Sequence, residues 1–222
     1  MFELSLEDLS SDSLQQAAEF YSENGFVCVS GTEHVLLPEL EAVLSDTLSD
    51  LGFDIKDVLS GALPLYEFGQ DDRKTLSQID TSVALQEKLV GLLQPVLLRI
   101  LGPFVHVSRN FHAQFKGTDL VAPQVDHGGY PDDSKFLEPF GQYLLHQDFT
   151  GARLPTSPGG MTCWVPLTVG DNWGLRLYPG SHRRGLMCND WVPLEHDNLG
   201  LLGEPFDFRA ERGKALLFHS LI

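Results

Sequence analysis

His146 and Asp148 stand one residue apart, and with this pair the chain first offers chemistry. An imidazole nitrogen and a carboxylate oxygen are two of the three donors of a two-His-one-carboxylate facial triad. That triad holds Fe(II) and leaves positions open for oxygen and a cosubstrate. The spacing has a mechanical reason: on a β-strand, residues i and i+2 project to the same face, so both side chains reach one metal. Alone, the triplet is a weak signal. In an acid-rich chain with eight histidines, a surface His beside a solvated Asp arises by accident. The surroundings sharpen it. Residues 140–149 read as a strand, with Tyr143, Leu144, Leu145 and Phe149 around the pair. A second strand over about 160–168 carries Trp164. A third over about 174–179 runs into a turn of Pro179, Gly180, Ser181 and His182. This is the order of an antiparallel barrel with a metal at its mouth.

The elements that must carry such a site fall into two parts, a helical layer over about 1–103 and a β-rich core over about 104–222. In the first part, Ser11 or Asp12 caps a helix over about 12–24, on which Leu14, Ala17, Ala18 and Tyr21 recur at helical spacing before Gly25 ends it. Phe26 to Val29 follows as a short strand. Pro38 opens a helix over about 37–50 with Leu40, Val43, Leu44, Leu48 and Leu51 on one stripe. Residues 54–80 read as polar loop. A third helix, about 82–101, carries Leu85, Leu89, Leu92, Leu93, Val96 and Ile100, and Pro95 is expected to kink or split it. In the second part, strands are expected over about 104–116 and again over about 214–221. Phe111, Ala113 and Phe115 share one face, with His112, Gln114 and Lys116 on the other.

These pieces, in this order, resemble the phytanoyl-CoA dioxygenase family, which includes the ectoine hydroxylases. The resemblance covers nearly the whole chain. Phe20 to Val29 is similar to the family's opening helix, glycine stop and first strand. His146, Gln147 and Asp148 resemble its iron motif. Asn172, Gly174 and the run Pro179 to His182 resemble its Asn-Gly and Pro-Gly-Ser-His segment, and Gly213 to Ile222 resembles the strand that leads to the distal ligand. The resemblance implies a double-stranded β-helix (a jelly roll, cupin-like and mainly β) with packed N-terminal helices. It implies an Fe(II)- and 2-oxoglutarate-dependent oxygenase that uses molecular oxygen to hydroxylate an unactivated C–H of a small-molecule substrate. His146 and Asp148 are the metal ligands it implies. An Asp at the carboxylate position speaks for hydroxylation over halogenation. The family's distal His and the Arg that pairs with the far carboxylate of 2-oxoglutarate have no match before Ile222. His219 falls on the family's non-ligand histidine, so the chain is expected to be truncated, with weak Fe(II) binding and little turnover in this form.

Two further residues are candidates for the cosubstrate pocket. Gln114 faces either 2-oxoglutarate or solvent at a polar edge. Trp164 either lines the pocket, as the resemblance implies, or fills the sandwich core. His182 reads as a turn residue satisfied by backbone. Composition bounds the rest. The 222 residues, with 42% hydrophobic and 21% charged content, suit one domain with a sizeable core. A net charge of −16 disfavours nucleic acid and anionic membranes as partners. Arg183 and Arg184 form a short basic turn. No apolar run reaches membrane length, and the acidic start lacks the order of a signal peptide. Cys28, Cys163 and Cys188, odd in number and far apart, fit a reducing cytoplasm better than a disulfide framework. The alternative to an oxygenase is a non-catalytic jelly roll that keeps the shell for binding.

Overall fold

The computed structural model describes residues 2–34, 37–50, 52, 54–59, 83–103, 147, 160–166, 174–187, 194 and 196–222. Strand β1 (Glu3–Ser5) leads into helix α1 (Ser11–Asn24), and β2 (Phe26–Ser30) follows. The cap of α1 is Ser10, whose side chain accepts from the Ser13 N–H. Gly25 closes the helix in the left-handed region and donates to the Tyr21 carbonyl. Helices α2 (Leu37–Asp50), α3 (Ile55–Leu59) and α4 (Val83–Leu101) come next. Strands β3 (Met161–Trp164), β4 (Gly174–Leu177), β5 (Phe206–Arg209) and β6 (Lys214–His219) complete the described elements, with 3-10 turns at Ser181–Arg184 and His196–Leu201.

The strands form a four-stranded sheet in the order β1-β2-β6-β3 and a two-stranded sheet of β4 and β5. Strand alternation decides what each face touches. On β2 and β6, Val27, Val29, Ala215 and Leu217 point to one side. There they join Leu4, Ala17, Tyr21, Leu93 and Val96 in a core shared with α1 and α4. Phe26, Cys28, Leu216 and Phe218 point to the other side and meet Leu177 and Phe208 of the small sheet. The result is three layers: helices, main sheet, second sheet. Burying a Val, Leu or Phe fully contributes about 1.5–3 kcal/mol each. Val27, Val29, Leu216 and Leu217 are all 0% exposed, so this double-sided burial makes β2 and β6 the centre of the molecule.

Several sequence expectations meet the structure here. The helices expected at about 12–24, 37–50 and 82–101 are present as α1, α2 and α4. Pro95 does not split α4, which continues across it as one element. Its buried contacts, Leu93 and Val96, lie on either side of the proline and hold both halves to the same core. Residues 54–80, read as loop, include the short α3. Strands β1 and β5 were not anticipated. One departure concerns strand direction. All pairs were expected to be antiparallel, and β2–β6, β3–β6 and β4–β5 are, but β1 pairs with β2 in parallel. The cause is the connection: β1 and β2 are joined through a helix, and such a crossover returns the chain in the same direction. The strands expected over 104–116 and 140–149 lie outside the described residues, apart from Gln147. Among the described residues no helix is long and apolar enough to cross a membrane.

Candidate functional site

Of the four residues singled out for the site, only Trp164 is described; His146, Asp148 and Gln114 lie outside the described residues. So does Lys116. Trp164 closes β3 opposite Leu216 of β6. By alternation it shares the second-sheet side with Phe218, and its ring meets Phe208 edge-on at 5.8 Å. It is half-buried, so it packs in the layer between the sheets and keeps part of its surface free. Aromatic packing runs on through that layer: Phe206 stacks on Phe26 at 4.7 Å, and Phe20 meets Phe26 edge-on at 5.5 Å.

Gln147, the residue between the two expected ligands, is buried at 4% exposure. Its side-chain amide donates to the carbonyls of Gly185, at 3.1 Å, and Leu221, and its oxygen accepts from the Met187 N–H at 2.7 Å. Two chain segments far apart in sequence thus converge on one amide. One leaves the Ser181–Arg184 turn; the other leaves the end of β6. The motif points by residue type to its first and third positions and passes over the middle one. The signal for the middle one was its chemistry: a buried Gln needs partners for two donors and an acceptor.

His219 takes the opposite side of the main sheet from Trp164. It continues the Ala215 and Leu217 face, 6.3 Å from the Tyr21 ring and 5.2 Å from the His182 ring. Its Nδ1 accepts the Leu221 N–H at 3.0 Å. It therefore points to the helical layer and away from the space between the sheets. His182 behaves as a turn residue: its Nε2 lies 3.2 Å from the Ser22 carbonyl and donates to it. That bond leaves Nδ1 as a buried lone pair with no hydrogen-bond partner among the described residues. Burial pushes the His182 pKa below the ordinary histidine value, with the Ser22 contact opposing and Arg183 reinforcing the shift.

Other ionisable groups are accounted for without chemistry. Arg176 makes a bidentate pair with Asp207 across β4 and β5, at 2.6 and 2.8 Å, so its guanidinium is committed to that carboxylate. Burial pushes the thiols of Cys28 and Cys163 up to about 12, where they stay protonated and inert as nucleophiles or metal ligands. Among the described residues no group of three or more His, Cys, Asp or Glu is placed to hold a metal ion. An open groove of about 490 Å³ lies along α1, lined by Glu19, Glu23, Arg99 and Arg183 with smaller neighbours, away from the space between the sheets. Compared with known proteins, the chain matches no family model, and no curated protein or solved structure matches it.

Proposed function

We propose that this chain is a non-haem Fe(II)- and 2-oxoglutarate-dependent oxygenase of the phytanoyl-CoA dioxygenase type, hydroxylating an unactivated C–H of a small organic substrate on a double-stranded β-helix. The observation that carries the proposal is the ordered run of motifs: His146-Gln147-Asp148, then Trp164, then Asn172 and Gly174, then Pro179 to His182. The donor set is chemically suited to the metal, since one imidazole nitrogen and one carboxylate oxygen are what a facial-triad iron takes from two of its ligands.

Bound iron and 2-oxoglutarate supply the oxidation, in which molecular oxygen yields succinate, carbon dioxide and a hydroxylated product. The protein's part is ligation, orientation and exclusion of water. His146 and Asp148 hold the metal by Nε2 or Nδ1 and by a carboxylate oxygen. Gln114 and Trp164 line the cosubstrate pocket, the amide as a hydrogen-bond partner and the indole as an apolar wall. The third protein ligand is not assigned to His219, whose ring faces Tyr21. Arg176 is not assigned to the far carboxylate of 2-oxoglutarate, because Asp207 holds it. The cytoplasm is the proposed location, on the widely spaced and odd number of cysteines.

A second reading, a non-catalytic jelly roll that binds a ligand without turning it over, draws on the orientation of His219. Titration of the protein with Fe(II) under anaerobic conditions, with and without 2-oxoglutarate, tests the first reading. Fe(II) binding that His146→Ala and Asp148→Ala each abolish supports it. Binding unchanged by both substitutions, or no Fe(II) binding at all, overturns it. Tight 2-oxoglutarate binding without any metal dependence would favour the second.

A further inference from the structure

We infer that the groove along α1 binds a small amino carboxylate, a molecule with one free ammonium and one free carboxylate: Arg99 and Arg183 take the carboxylate, and Glu19 and Glu23 take the ammonium. The site belongs to the helical layer and is independent of the oxygenase reading. One stripe of α1 forms its base. Gln15, Ala18, Glu19, Ser22 and Glu23 recur at three- and four-residue spacing and line the same space. Ala18 and Ser22 are small and one turn apart, which leaves a trough between the longer side chains. Arg99, in the last turn of α4, and Arg183, on the Ser181–Arg184 turn, complete the lining of about 490 Å³. Small-molecule sites span about 300–1,000 Å³.

The walls are held in place. Helix α4 packs on α1 through Leu93 and Val96 against Ala17 and Tyr21. The turn is fixed to the end of α1 by two bonds: the Gly180 N–H donates to the Asn24 carbonyl at 3.0 Å, and His182 Nε2 to the Ser22 carbonyl at 3.2 Å. Nη2 of Arg183 lies over Gly180, 3.2 Å from where a Cβ would stand, which keeps the guanidinium beside that helix end. The charges do not satisfy one another. Among the described residues neither Arg99 nor Arg183 makes an ion pair or a side-chain hydrogen bond, although two carboxylates line the same groove. The acids also stand where the helix alone disfavours them. Glu19 and Glu23 are four residues apart, so their like charges repel. Glu23 lies in the last turn, at the negative end of the helix dipole, and α1 has no basic residue there. Positions that break local rules are expected at functional sites. An ammonium between the two carboxylates offsets both penalties, and a carboxylate taken by guanidinium groups gains charge-assisted bonds. The Gln15 amide donates to Glu19 and orients its carboxylate. An anion alone would meet Glu19 and Glu23, and a cation alone would meet Arg99 and Arg183. A ligand carrying both charges is the electrostatic complement of the groove.

Glycine, β-alanine and γ-aminobutyrate hold the two charges progressively farther apart and serve as probes for the full chain at low ionic strength. Butyrate and butylamine carry one charge each. Proton–nitrogen NMR correlation spectra follow the arginine Nε–H signals, which report where binding occurs, while the backbone signals follow the fold. The expected result is a saturable shift of the Arg99 and Arg183 signals with at least one amino carboxylate, and binding about three- to fivefold weaker for butyrate and for butylamine. Arg99→Gln, Arg183→Gln and Glu23→Gln, all at exposed positions, are each expected to weaken binding about three- to fivefold with the backbone spectrum retained. Butyrate binding as tightly as the amino carboxylates would make the groove a plain anion site, and butylamine doing so a plain cation site; either result overturns the inference. So does the absence of a saturable shift with all three amino carboxylates, or binding that the three substitutions leave unchanged.

Discussion

At Gly25 the backbone has φ 84°, and an added Cβ would lie 2.5 Å from Nδ1 of His182 and 3.0 Å from Cδ1 of Ile222. Two penalties coincide there. A left-handed conformation costs a non-glycine residue about 1–2 kcal/mol, and the imidazole must also move from the Ser22 carbonyl. Gly25→Ala is therefore expected to destabilise the protein by about 2 kcal/mol or more, read from the urea midpoint; a loss under half that would show that the His182 ring yields easily. His182 itself carries a pH prediction. Its folded pKa is held below its ordinary value by burial. The unfolded chain therefore takes up the proton first as pH falls, and the stability tied to the neutral ring is complete above the ordinary value of 6.5 and is lost below it. Wild type and His182→Gln, compared by urea denaturation at pH 7.5 and pH 5.5, should differ in slope. The wild type is expected to lose more stability on acidification. Equal losses would mean that the ring protonates without resistance.

Among the elements, β6 does most to hold the layers together, because its two faces belong to two different cores. Leu217 looks toward α1 and α4, while Leu216 and Phe218 look toward β4 and β5. Leu217 is 0% exposed, so Leu217→Ala is expected to cost about 2–5 kcal/mol. Leu186, 55% exposed, sits on the turn beyond the second sheet, and Leu186→Ala should stay within about 0.5 kcal/mol. Thermal or urea unfolding of the two variants side by side checks the contrast, and similar losses in both would contradict the layer assignment. The small sheet has its own clasp. Arg176 and Asp207 face each other in register across β4 and β5, and their bidentate pair fixes the alignment of two four-residue strands.

For the molecule as a whole, the thiols of buried Cys28 and half-buried Cys163 report on cooperativity. Cys28 is 0% exposed in the main sheet, and Cys163 packs on the helical side. In a Cys188→Ser background, both should resist a thiol reagent at pH 8 in the folded state and react fully in urea. Labelling of Cys163 well before Cys28 would show that β3, at the sheet edge, opens on its own. The sign of the linkage also follows. Folded pKa values near 12 against an ordinary 9.0 mean that the unfolded chain loses these protons first, so stability is whole below about pH 9 and falls as pH rises toward 12. Replacing both thiols with alanine should flatten that alkaline loss in a urea titration.

Local pattern determined the elements whose stabilisation is largely local. The stripe of Leu14, Ala17 and Tyr21 with a glycine stop was enough for α1, because side-chain period and cap chemistry act within a few residues. The same holds for α2, α4 and the apolar run of β6. Strand β5 had a readable alternation in Phe206, Asp207, Phe208 and Arg209, but β1, at three residues, is too short to show a period and exists only through its pairing with β2. The sequence also supplied the proposed metal pair, since the spacing of His146 and Asp148 is legible without a fold. What it left undecided were the relations between residues far apart. That Trp164 and His219 take opposite faces of one sheet depends on the register of β3 on β6. That Arg176 is spent on Asp207 depends on the register of β4 on β5. That Gln147 gathers Gly185, Met187 and Leu221 depends on two segments about 38 to 74 residues away being folded beside it. Periodicity tells a side chain which way to face, but only long-range pairing brings it a partner.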